Sequence, residues 1–494
     1  MVNSSSAEKL DYSQDVKYST PPEEEIKWCT VSLADIVNAG KRLEASVFDA
    51  DARAAIDLIR NNKFGSVPLF SSNKQDEVAN VYHAGRFKRN YIDQSQNNAV
   101  GFLGSSEMLD AHPVASKFLT REFAESKGLF VDFGTILVSC SGTIGNVTLA
   151  NHTLTQYAFS QHIIRLECKD YPGYIYACLK SKACQAQIKA LIYGAVIQEL
   201  EPHHLKNIII PNPPTTIKQH INRLIMHSYE LRDQSNELID KARDMFVEAL
   251  KLPPIYELHA KQFSDNFDVN NYNVKLSELS GRLDGSYHVP LVDSIVEHLE
   301  KHAAEVITVG DSRITSQIIL AGVFKRVYVE EAYGIPFLGG KEITQLAPKT
   351  EKFLSRPHHL ARYKKELRVS ENMILVTNRG SIGTAALVPK HWEGWAVSQN
   401  VLKVVPASDS IAGYLFIFLN SEWGKFLIQR QTYGSVVDMI DNRKMAAVEL
   451  PLLKSVEIQA EINRLALEAN KLRHQAYQLE QEAMQIMDDE VIFA

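Results

Sequence analysis

Apolar and small residues recur at alternating steps of four and three along a long stretch that follows Pro213-Pro214. The positions are Ile217, Ile221, Leu224, Ser228, Leu231, Ser235, Leu238, Ala242, Met245 and Ala249. This spacing is the a and d pattern of a coiled coil, so it predicts one long helix with an apolar seam. We expect the seam to be too narrow for a globular core, and the helix therefore needs a partner helix.

A second stretch near the end of the chain has the same spacing. Its positions are Ile458, Ile462, Leu465, Ala469, Leu472, Ala476, Leu479, Ala483 and Ile486. We predict that the two helices pair as an antiparallel coiled coil with one globular domain at each end. The contacts expected to carry this pairing are Ile217, Ile221, Leu224, Leu231 and Leu238 on one helix, and Ile458, Ile462, Leu465, Leu472 and Leu479 on the other.

The two halves of the chain also resemble each other in sequence. Leu137–Gly145 (LVSCSGTIG) resembles Leu375–Gly383 (LVTNRGSIG). Further matches follow the same order at nearly constant spacing: Gly85–Tyr91 with Gly322–Tyr328, Phe102–Gly104 with Phe337–Gly339, Ser160-Gln161 with Ser398-Gln399, Tyr193-Gly194 with Tyr433-Gly434, and Ile221–Leu224 with Ile462–Leu465. Each half is therefore predicted to be one mixed domain followed by one long helix.

The repeat divides the 494-residue chain into parts. We expect a polar, acidic tail (1–27), a first domain (28–213), a central long helix (214–252), a linker rich in Pro and Asn (253–272), a second domain (273–451) and a C-terminal long helix (452–490). Ile136–Ser139 and Val147–Leu149 read as short strands, and 175–192 and 411–428 each read as one helix. The predicted class is α+β with small curved sheets.

These features together resemble the specificity subunit of a type I restriction–modification system. The resemblance rests on two domains that each carry a G[TS]IG segment, a later SQ pair and a Y-G pair, and on the long helix beginning with Val456–Leu465 (VEIQAEINRL). It implies two target-recognition domains that read a bipartite, asymmetric target in double-stranded DNA. It also implies a subunit without catalysis or cofactor, which bridges two N6-adenine DNA methyltransferase subunits and which helicase-nuclease restriction subunits can join.

Local charge supports contact with DNA better than the net charge of −6 does. Basic residues at matching places in both halves are predicted to bind phosphates, with a solvated surface as the alternative for any one of them. The predicted DNA-binding residues are Arg86, Lys88, Arg89, Lys117, Arg121, Lys325, Arg326, Lys341, Arg356, Arg362, Lys364, Lys365 and Arg379. Base-reading residues are expected where the halves diverge, in 61–75, 288–316 and 358–368.

Motifs for catalysis are weak in this sequence. Residues 334–342 fail the P-loop spacing, Asn212–Thr215 lacks the aromatic residue that would stack on a flipped base, and His203-His204 and His358-His359 lack zincin spacing. We therefore predict no catalytic, cofactor-binding or metal-binding residue. Two other readings stay open, a self-sufficient DNA-modifying enzyme with duplicated domains and a coiled-coil protein scaffold. An assay with labelled S-adenosylmethionine, with and without a methylase, separates them from the first reading.

The cysteines and apolar runs of the chain predict its cellular location. Its five cysteines form no CxxC pair, which favours reduced thiols. The start of the sequence has no signal-peptide core, and the longest apolar run, 411–419, is too short to cross a membrane. We expect a cytoplasmic protein of a bacterium or archaeon without a membrane partner.

Overall fold

The computed structural model describes residues 29–38, 43–71, 78–193, 198–255, 257–258, 273–279, 281–348, 352–434 and 437–494. The predicted tail and most of the predicted linker lie outside these residues.

The first half contains seven helices and nine strands within the described residues. The helices are α1 (Leu33–Asn38), α2 (Ala50–Arg60), α3 (Arg121–Ser126), α4 (Pro172–Lys180), α5 (Lys182–Leu191), α6 (Pro202–Lys206) and the long α7 (Thr215–Leu250). The strands are β1 (Ser66–Pro68), β2 (Ala79–His83), β3 (Ala99–Leu103), β4 (Phe118–Thr120), β5 (Ile136–Ser139), β6 (Val147–Leu149), β7 (Ala158–Phe159), β8 (Ile163–Cys168) and β9 (Ile209–Pro211). The two predicted strands, β5 and β6, are confirmed.

The second half contains six helices and ten strands within the described residues. The helices are α8 (Pro290–His302), α9 (Arg356–Arg362), α10 (Asp409–Asn420), α11 (Glu422–Arg430), α12 (Asn442–Ala446) and the long α13 (Val456–Ile486). The strands are β10 (Glu305–Thr308), β11 (Thr315–Leu320), β12 (Tyr328–Val329), β13 (Gly334–Leu338), β14 (Phe353–Ser355), β15 (Ile374–Thr377), β16 (Ala385–Leu387), β17 (Ala396–Val397), β18 (Val401–Pro406) and β19 (Glu449–Leu452).

The sheets of the two halves have the same topology. Sheet β2-β8-β5-β6 corresponds to β11-β18-β15-β16, sheet β4-β3-β7 to β12-β14-β13-β17, and the pair β1-β9 to β10-β19. All strand pairs of β2-β8-β5-β6 and of β11-β18-β15-β16 are antiparallel, whereas in the other two larger sheets β3 pairs in parallel with β7 and β13 with β17. The predicted α+β class with small sheets and an internal repeat is confirmed.

The predicted antiparallel pairing of the long helices is confirmed by two hydrogen bonds. The Ser228 hydroxyl donates to the carbonyl oxygen of Ala476 at 2.8 Å, and the Ser235 hydroxyl donates to that of Ala469 at 3.0 Å. Counted from the shared INRL segment, Ser228 matches Ala469 and Ser235 matches Ala476. The two bonds are therefore the same contact made twice about a pseudo-twofold axis.

The expectation of a narrow seam is wrong, because both helices also enter the domain cores. Ile225 and Tyr229 of α7 are buried in the core of the first domain, whereas Ile239 and Phe246 of the same helix are buried in that of the second. Helix α13 likewise contributes Ile462, Leu465, Ala466 and Ala469 to the second core and Ala483 to the first. Each helix thus holds both domains, and its apolar face is wider than a coiled-coil seam.

The segments 175–192 and 411–428 are each two helices, not one. Ser181 separates α4 from α5, and its hydroxyl accepts a hydrogen bond from the Cys184 backbone N–H at 3.3 Å. Ser421 separates α10 from α11 and accepts from the Gly424 N–H at 3.0 Å. Each serine is an N-cap, and its extended ψ near 150° breaks the helical run.

One joint fastens each domain to the long helix that follows it. The side-chain oxygen of Asn222 on α7 accepts from the Gly173 N–H of α4 at 2.8 Å, and Asn463 on α13 accepts from the Gly413 N–H of α10 at 2.8 Å. A Cβ on Gly173 would lie 2.9 Å from the Asn222 carbonyl oxygen, and one on Gly413 would lie closer still to that of Asn463. Glycine is required at both positions because the helices approach so closely.

The two domains also touch each other beside the helix pair. The Ala111 N–H donates to the Thr344 carbonyl oxygen at 2.8 Å, and Lys182 forms an ion pair with Glu331 at 3.5 Å. Leu346 of the second domain packs with Leu231 and Ala476 of the helices. These contacts restrict movement of one domain relative to the other.

Candidate nucleic-acid interface

Three repeated motifs of the first domain come together around Arg89. Its guanidinium donates to the Ser160 hydroxyl at 3.4 Å and lies 5.7 Å from the centre of the Phe102 ring. Arg89 ends the FKR segment, Phe102 lies on β3 and Ser160 belongs to the SQ pair. The chain brings the three together because the Ser160 N–H bonds to the Leu103 carbonyl at the end of β3, at 3.0 Å.

The second domain repeats this arrangement around Arg326. Its guanidinium donates to the Gln399 side-chain oxygen at 2.8 Å and lies 5.6 Å from the centre of the Phe337 ring. The Ser398 N–H bonds to the Leu338 carbonyl at 2.9 Å, as in the first domain. We call each arginine with its phenylalanine and SQ pair the arginine cluster. A cation stacked on a ring and bonded to a neutral partner keeps its positive charge for an anion.

A ladder of backbone hydrogen bonds connects the arginine cluster of the first domain to a hairpin beyond the G[TS]IG turn. The Cys140 N–H donates to the His162 carbonyl at 3.1 Å, and the Leu200 N–H donates to the Cys140 carbonyl at 3.0 Å. Glu199 and Tyr193 then pair with each other across the hairpin. The ladder places the loop after the SQ pair, the end of β5 and the hairpin side by side.

The second domain has the same ladder. The Asn378 N–H donates to the Asn400 carbonyl at 3.1 Å, and the Ile440 N–H donates to the Asn378 carbonyl at 3.2 Å. Met439 pairs with Tyr433 across the hairpin and also bridges to Arg379. The backbone of this surface is therefore the same in both domains, although its side chains differ.

The G[TS]IG turn is tight in both domains. Gly142 and Gly145 have φ of 76° and 84°, and Gly380 and Gly383 have φ of 72° and 86°. These values lie in the left-handed region that favours glycine, which explains why the motif has a glycine at both positions. The turn holds residue 141 or 379 at the rim of the surface, beside the ladder.

The predicted basic residues of the first domain lie on and near the arginine cluster. Arg86 and Lys88 are exposed on the FKR loop beside Arg89. Lys117 and Arg121 flank β4, where Lys117 lies 5.3 Å from the Tyr91 ring centre. The guanidinium of Arg121 lies 5.5 Å from the centre of the Phe130 ring and forms an ion pair with the Glu125 carboxylate at 3.9 Å.

The second domain gathers more basic residues on its FKR loop. Lys325 is exposed there, and the guanidinium of Arg362 on α9 lies 5.0 Å from the Phe324 ring and donates to the Gly322 carbonyl at 3.3 Å. Arg362 also pairs with Glu366 at 2.6 Å. Other exposed basic residues stand at the start of α9, in the following π-helical turn, after β13 and on the G[TS]IG turn, namely Arg356, Lys364, Lys365, Lys341 and Arg379.

The divergent segments that we expected to read bases lie mostly elsewhere. Asn62 donates to the Val491 carbonyl at 2.5 Å, which places 61–71 against the end of the C-terminal helix. His298 bonds to the Leu250 carbonyl at 3.0 Å, which places α8 against the end of α7. These two segments fasten each domain to the far end of the other domain's helix. The segment 358–368 lies beside the FKR loop, where Arg362 bonds to the Gly322 carbonyl, and residues 72–75 of the first segment lie outside the described residues.

Sequence reasoning missed His162 and Glu199 on this surface, whereas Arg86 is one of the predicted DNA-binding residues. His162 lies next to the SQ pair, and burial together with Arg89 lowers the pKa of His162, while Glu199 raises it and Arg86 lowers it. The Ser141–Glu199 bridge and the hydrogen bond from the Cys140 N–H to the His162 carbonyl place His162 and Glu199 on the same surface, although they are far apart in sequence. Their signal is only that each stands beside a repeated motif and differs from its counterpart.

The described residues form no helix that is long and apolar enough to cross a membrane. Their His, Cys, Asp and Glu side chains include no group of three or more that could hold a metal ion.

Comparison with known proteins agrees with this architecture. The family described as the type I restriction modification DNA specificity domain matches the chain twice, over residues 69–241 and 324–465. The two matches include more than half of the chain and fall one in each repeat. The chain therefore belongs to this family, and it recognises DNA sequence.

Three solved structures are similar to the chain. The type I restriction-modification S subunit from M. genitalium has 15% identity and a TM-score of 0.32, and the match covers 88% of this chain and 96% of that one. The HsdS subunit from Thermoanaerobacter tengcongensis has 12% identity and a TM-score of 0.26, with coverage of 85% and 98%. A structure concerning complex assembly and conformational transition of the type I R-M system has 13% identity and a TM-score of 0.26, with coverage of 84% and 97%. A search of curated proteins gives no match.

Proposed function

We propose that this chain is the non-catalytic specificity subunit of a DNA methyltransferase complex and that it reads a bipartite, asymmetric DNA target. The observation that carries the proposal is the pair of arginine clusters, which share one backbone arrangement and differ in the side chains around it. Within this proposal the recognition domains are residues 28–213 and 273–451, and the long helices are residues 214–252 and 452–490.

Two DNA-binding surfaces that are held apart by the helix pair would bind two separate segments of one DNA target. Helix α7 has 36 residues, which corresponds to about 54 Å at about 1.5 Å per residue. Half-sites separated by up to this length would lie roughly 12–16 base pairs apart, since each base pair adds about 3.4 Å. Because the domains are not identical in sequence, the two half-sites differ.

The same pseudo-twofold arrangement supports two copies of one partner. A partner that recognises a surface of one repeat finds an equivalent surface on the other. We propose two N6-adenine methyltransferase subunits as these partners, with helicase-nuclease subunits able to join them. In such a complex the partners transfer the methyl group, and the chain determines which DNA sequence is methylated.

Co-purification followed by methylation mapping tests the proposal. The chain, expressed with an N6-adenine methyltransferase encoded next to it, should form a complex with two methyltransferases per chain by sedimentation. Sequencing of the methylated DNA should then return two short half-sites and an unread spacer. A single continuous site, or methyl transfer by the chain alone, would contradict the proposal.

A further inference from the structure

Four positions around each arginine cluster share a backbone location but differ in chemistry between the halves. We call them the recognition row. In the first domain the row is Arg86, Ser141, His162 and Glu199, and in the second it is Val323, Arg379, Asn400 and Met439. Each pair is matched by the repeated motif beside it: the FKR segment, the G[TS]IG turn, the SQ pair and the Y-G hairpin.

Hydrogen bonds show that the row is continuous in the first domain. Ser141 and Glu199 form an antiparallel bridge, and the His162 carbonyl accepts from the N–H of Cys140, the residue next to Ser141. On the other side, the His162 N–H donates at 3.2 Å to the Ser160 hydroxyl, which is also bonded to Arg89. Arg86 is exposed on the same FKR loop.

The second domain has the same continuity with different side chains. Arg379 and Met439 form an antiparallel bridge, and the Arg379 guanidinium lies 3.9 Å from the Met439 sulfur. Asn400 lies beside them through the Asn378 N–H, and it follows Gln399, which holds Arg326. The side chain of Arg379 is exposed, and its guanidinium contacts the Met439 sulfur but forms no ion pair with a carboxylate of the described residues.

We infer that the recognition row reads DNA bases, and that Arg379 is a guanine-reading residue of the second domain; the inference rests on the proposed function. Arginine can bond with both the O6 and N7 acceptors of guanine, which is the commonest specific contact in the major groove. A guanidinium that starts a tight turn and is held only by a weak contact with sulfur can make that contact without first breaking an ion pair.

The comparison between halves separates base reading from phosphate contact. A phosphate contact carries no sequence information, so both domains can use the same residue for it. Lys88 with Lys325 and Arg89 with Arg326 are such shared positions. The residues of the recognition row differ between the two domains instead, and the residue that corresponds to Arg379 in the first domain is Ser141.

The rest of the row also has base-reading chemistry. Glu199 places a carboxylate in a basic surface, where it would repel phosphates but can accept from the amino group of cytosine. Its counterpart Met439, together with Val323, offers apolar contact of the kind that suits the thymine methyl group. The two domains would thus read different bases with the same backbone.

Selection from a random DNA pool tests the inference with the full chain. Duplexes that contain a randomised 40-base-pair segment are incubated with each variant, and the bound DNA is sequenced. Arg379→Ser introduces the residue of the first domain. We expect the preference for guanine at one position of one half-site to fall by about 5- to 150-fold, which corresponds to a contact of about 1–3 kcal/mol. The other half-site should not change.

A reciprocal variant and a matched control complete the test. Ser141→Arg should alter one position in the other half-site, and Arg443→Ser removes an exposed arginine of the second domain that lies outside the row. The inference is overturned if Arg379→Ser selects the wild-type sequence, or if it weakens binding to all sequences alike. Wild-type protein that selects no sequence would overturn the proposed function itself. Melting curves of both variants show that they fold.

Discussion

The carboxylate of Glu480 on α13 forms an ion pair with the guanidinium of Arg232 on α7. Lys180 of the first domain is also paired with Glu480, and the Tyr176 hydroxyl donates to it at 2.7 Å. At the pseudo-twofold position, Arg473 takes the place of Arg232, but Ile239 takes the place of Glu480. The helix pair is therefore symmetric in its backbone and asymmetric in its buried charge.

The Glu480→Gln variant should lose about 3–5 kcal/mol of stability at pH 7, because Arg232 and Lys180 would remain largely buried without a carboxylate. Burial alone raises the pKa of Glu480, but Lys180 and Arg232 outweigh it and lower the pKa from 4.5 to about 2. The stabilisation is thus present above pH 4.5 and is lost as the pH falls toward 2. Denaturant unfolding across pH 3–7 measures both effects. The control Glu482→Gln changes an exposed residue of the same helix, and an equal loss in both variants would contradict the assignment.

The two equivalent arginines should respond oppositely to replacement by methionine. Arg473 is 9% exposed, burial lowers its pKa to about 10, and no carboxylate pairs with it among the described residues. Arg473→Met should therefore be neutral or stabilising by about 1–2 kcal/mol, whereas Arg232→Met should destabilise by about 3 kcal/mol because it leaves the buried Glu480 with Lys180 as its remaining cation. Thermal unfolding of the two variants checks the difference. Equal destabilisation would mean that Arg473 has a partner of similar strength.

The asymmetry predicts how a fragment ending after Pro254 behaves. Its α7 can pair only with α7 of a second copy, and Arg232 would then face Ile239 of that copy. We expect the dissociation constant of this dimer to fall by about 10²- to 10³-fold in the variant Ile239→Glu, which restores the missing carboxylate. Sedimentation measures the dimer. The control Gln234→Glu adds the same charge on the exposed face, and equal tightening by both changes would contradict the prediction.

The shared basic residues should bind DNA without regard to sequence. Lys325→Ala and Arg356→Ala should each weaken binding to all duplexes and reduce the slope of log affinity against log salt by about one. Titrations at several salt concentrations measure the slope, with Lys471→Ala on the exposed face of α13 as the control. A change in the preferred base at one position would instead make the mutated residue a base reader.

The sequence predicted the parts of the fold that repeat a local pattern. The heptads predicted the two long helices and their pairing, because the spacing of the a and d positions can be read from the sequence alone. The second buried stripe, with Ile225, Tyr229 and Phe246, was missed since those residues bury against domains whose docking no local pattern describes. The helix breaks at Ser181 and Ser421 were missed because apolar residues continue through both.

Only those parts of the candidate site that recur in both domains could be predicted from the sequence. The FKR and SQ motifs were visible as repeats, and they meet in the arginine cluster. Arg86 and Arg379 were predicted as DNA-binding residues, but the row as a whole was not, because Ser141, His162 and Glu199 become neighbours only through the bridges and loop ladder of the folded domain. The repeat predicted that base readers lie where the halves diverge, but the loops that carry them are matched residue by residue only in the folded domains.

The joint of Gly173 with Asn222 and of Gly413 with Asn463 has an evolutionary consequence. The same glycine–asparagine contact anchors two domains of different sequence, so a foreign domain that carries the glycine and a matching apolar face can dock on the existing helix. Genetic exchange can then replace a whole domain while the helix pair and its spacing are inherited unchanged. New specificity can arise by shuffling cassettes in a single event, without a series of point mutations that each risk the fold.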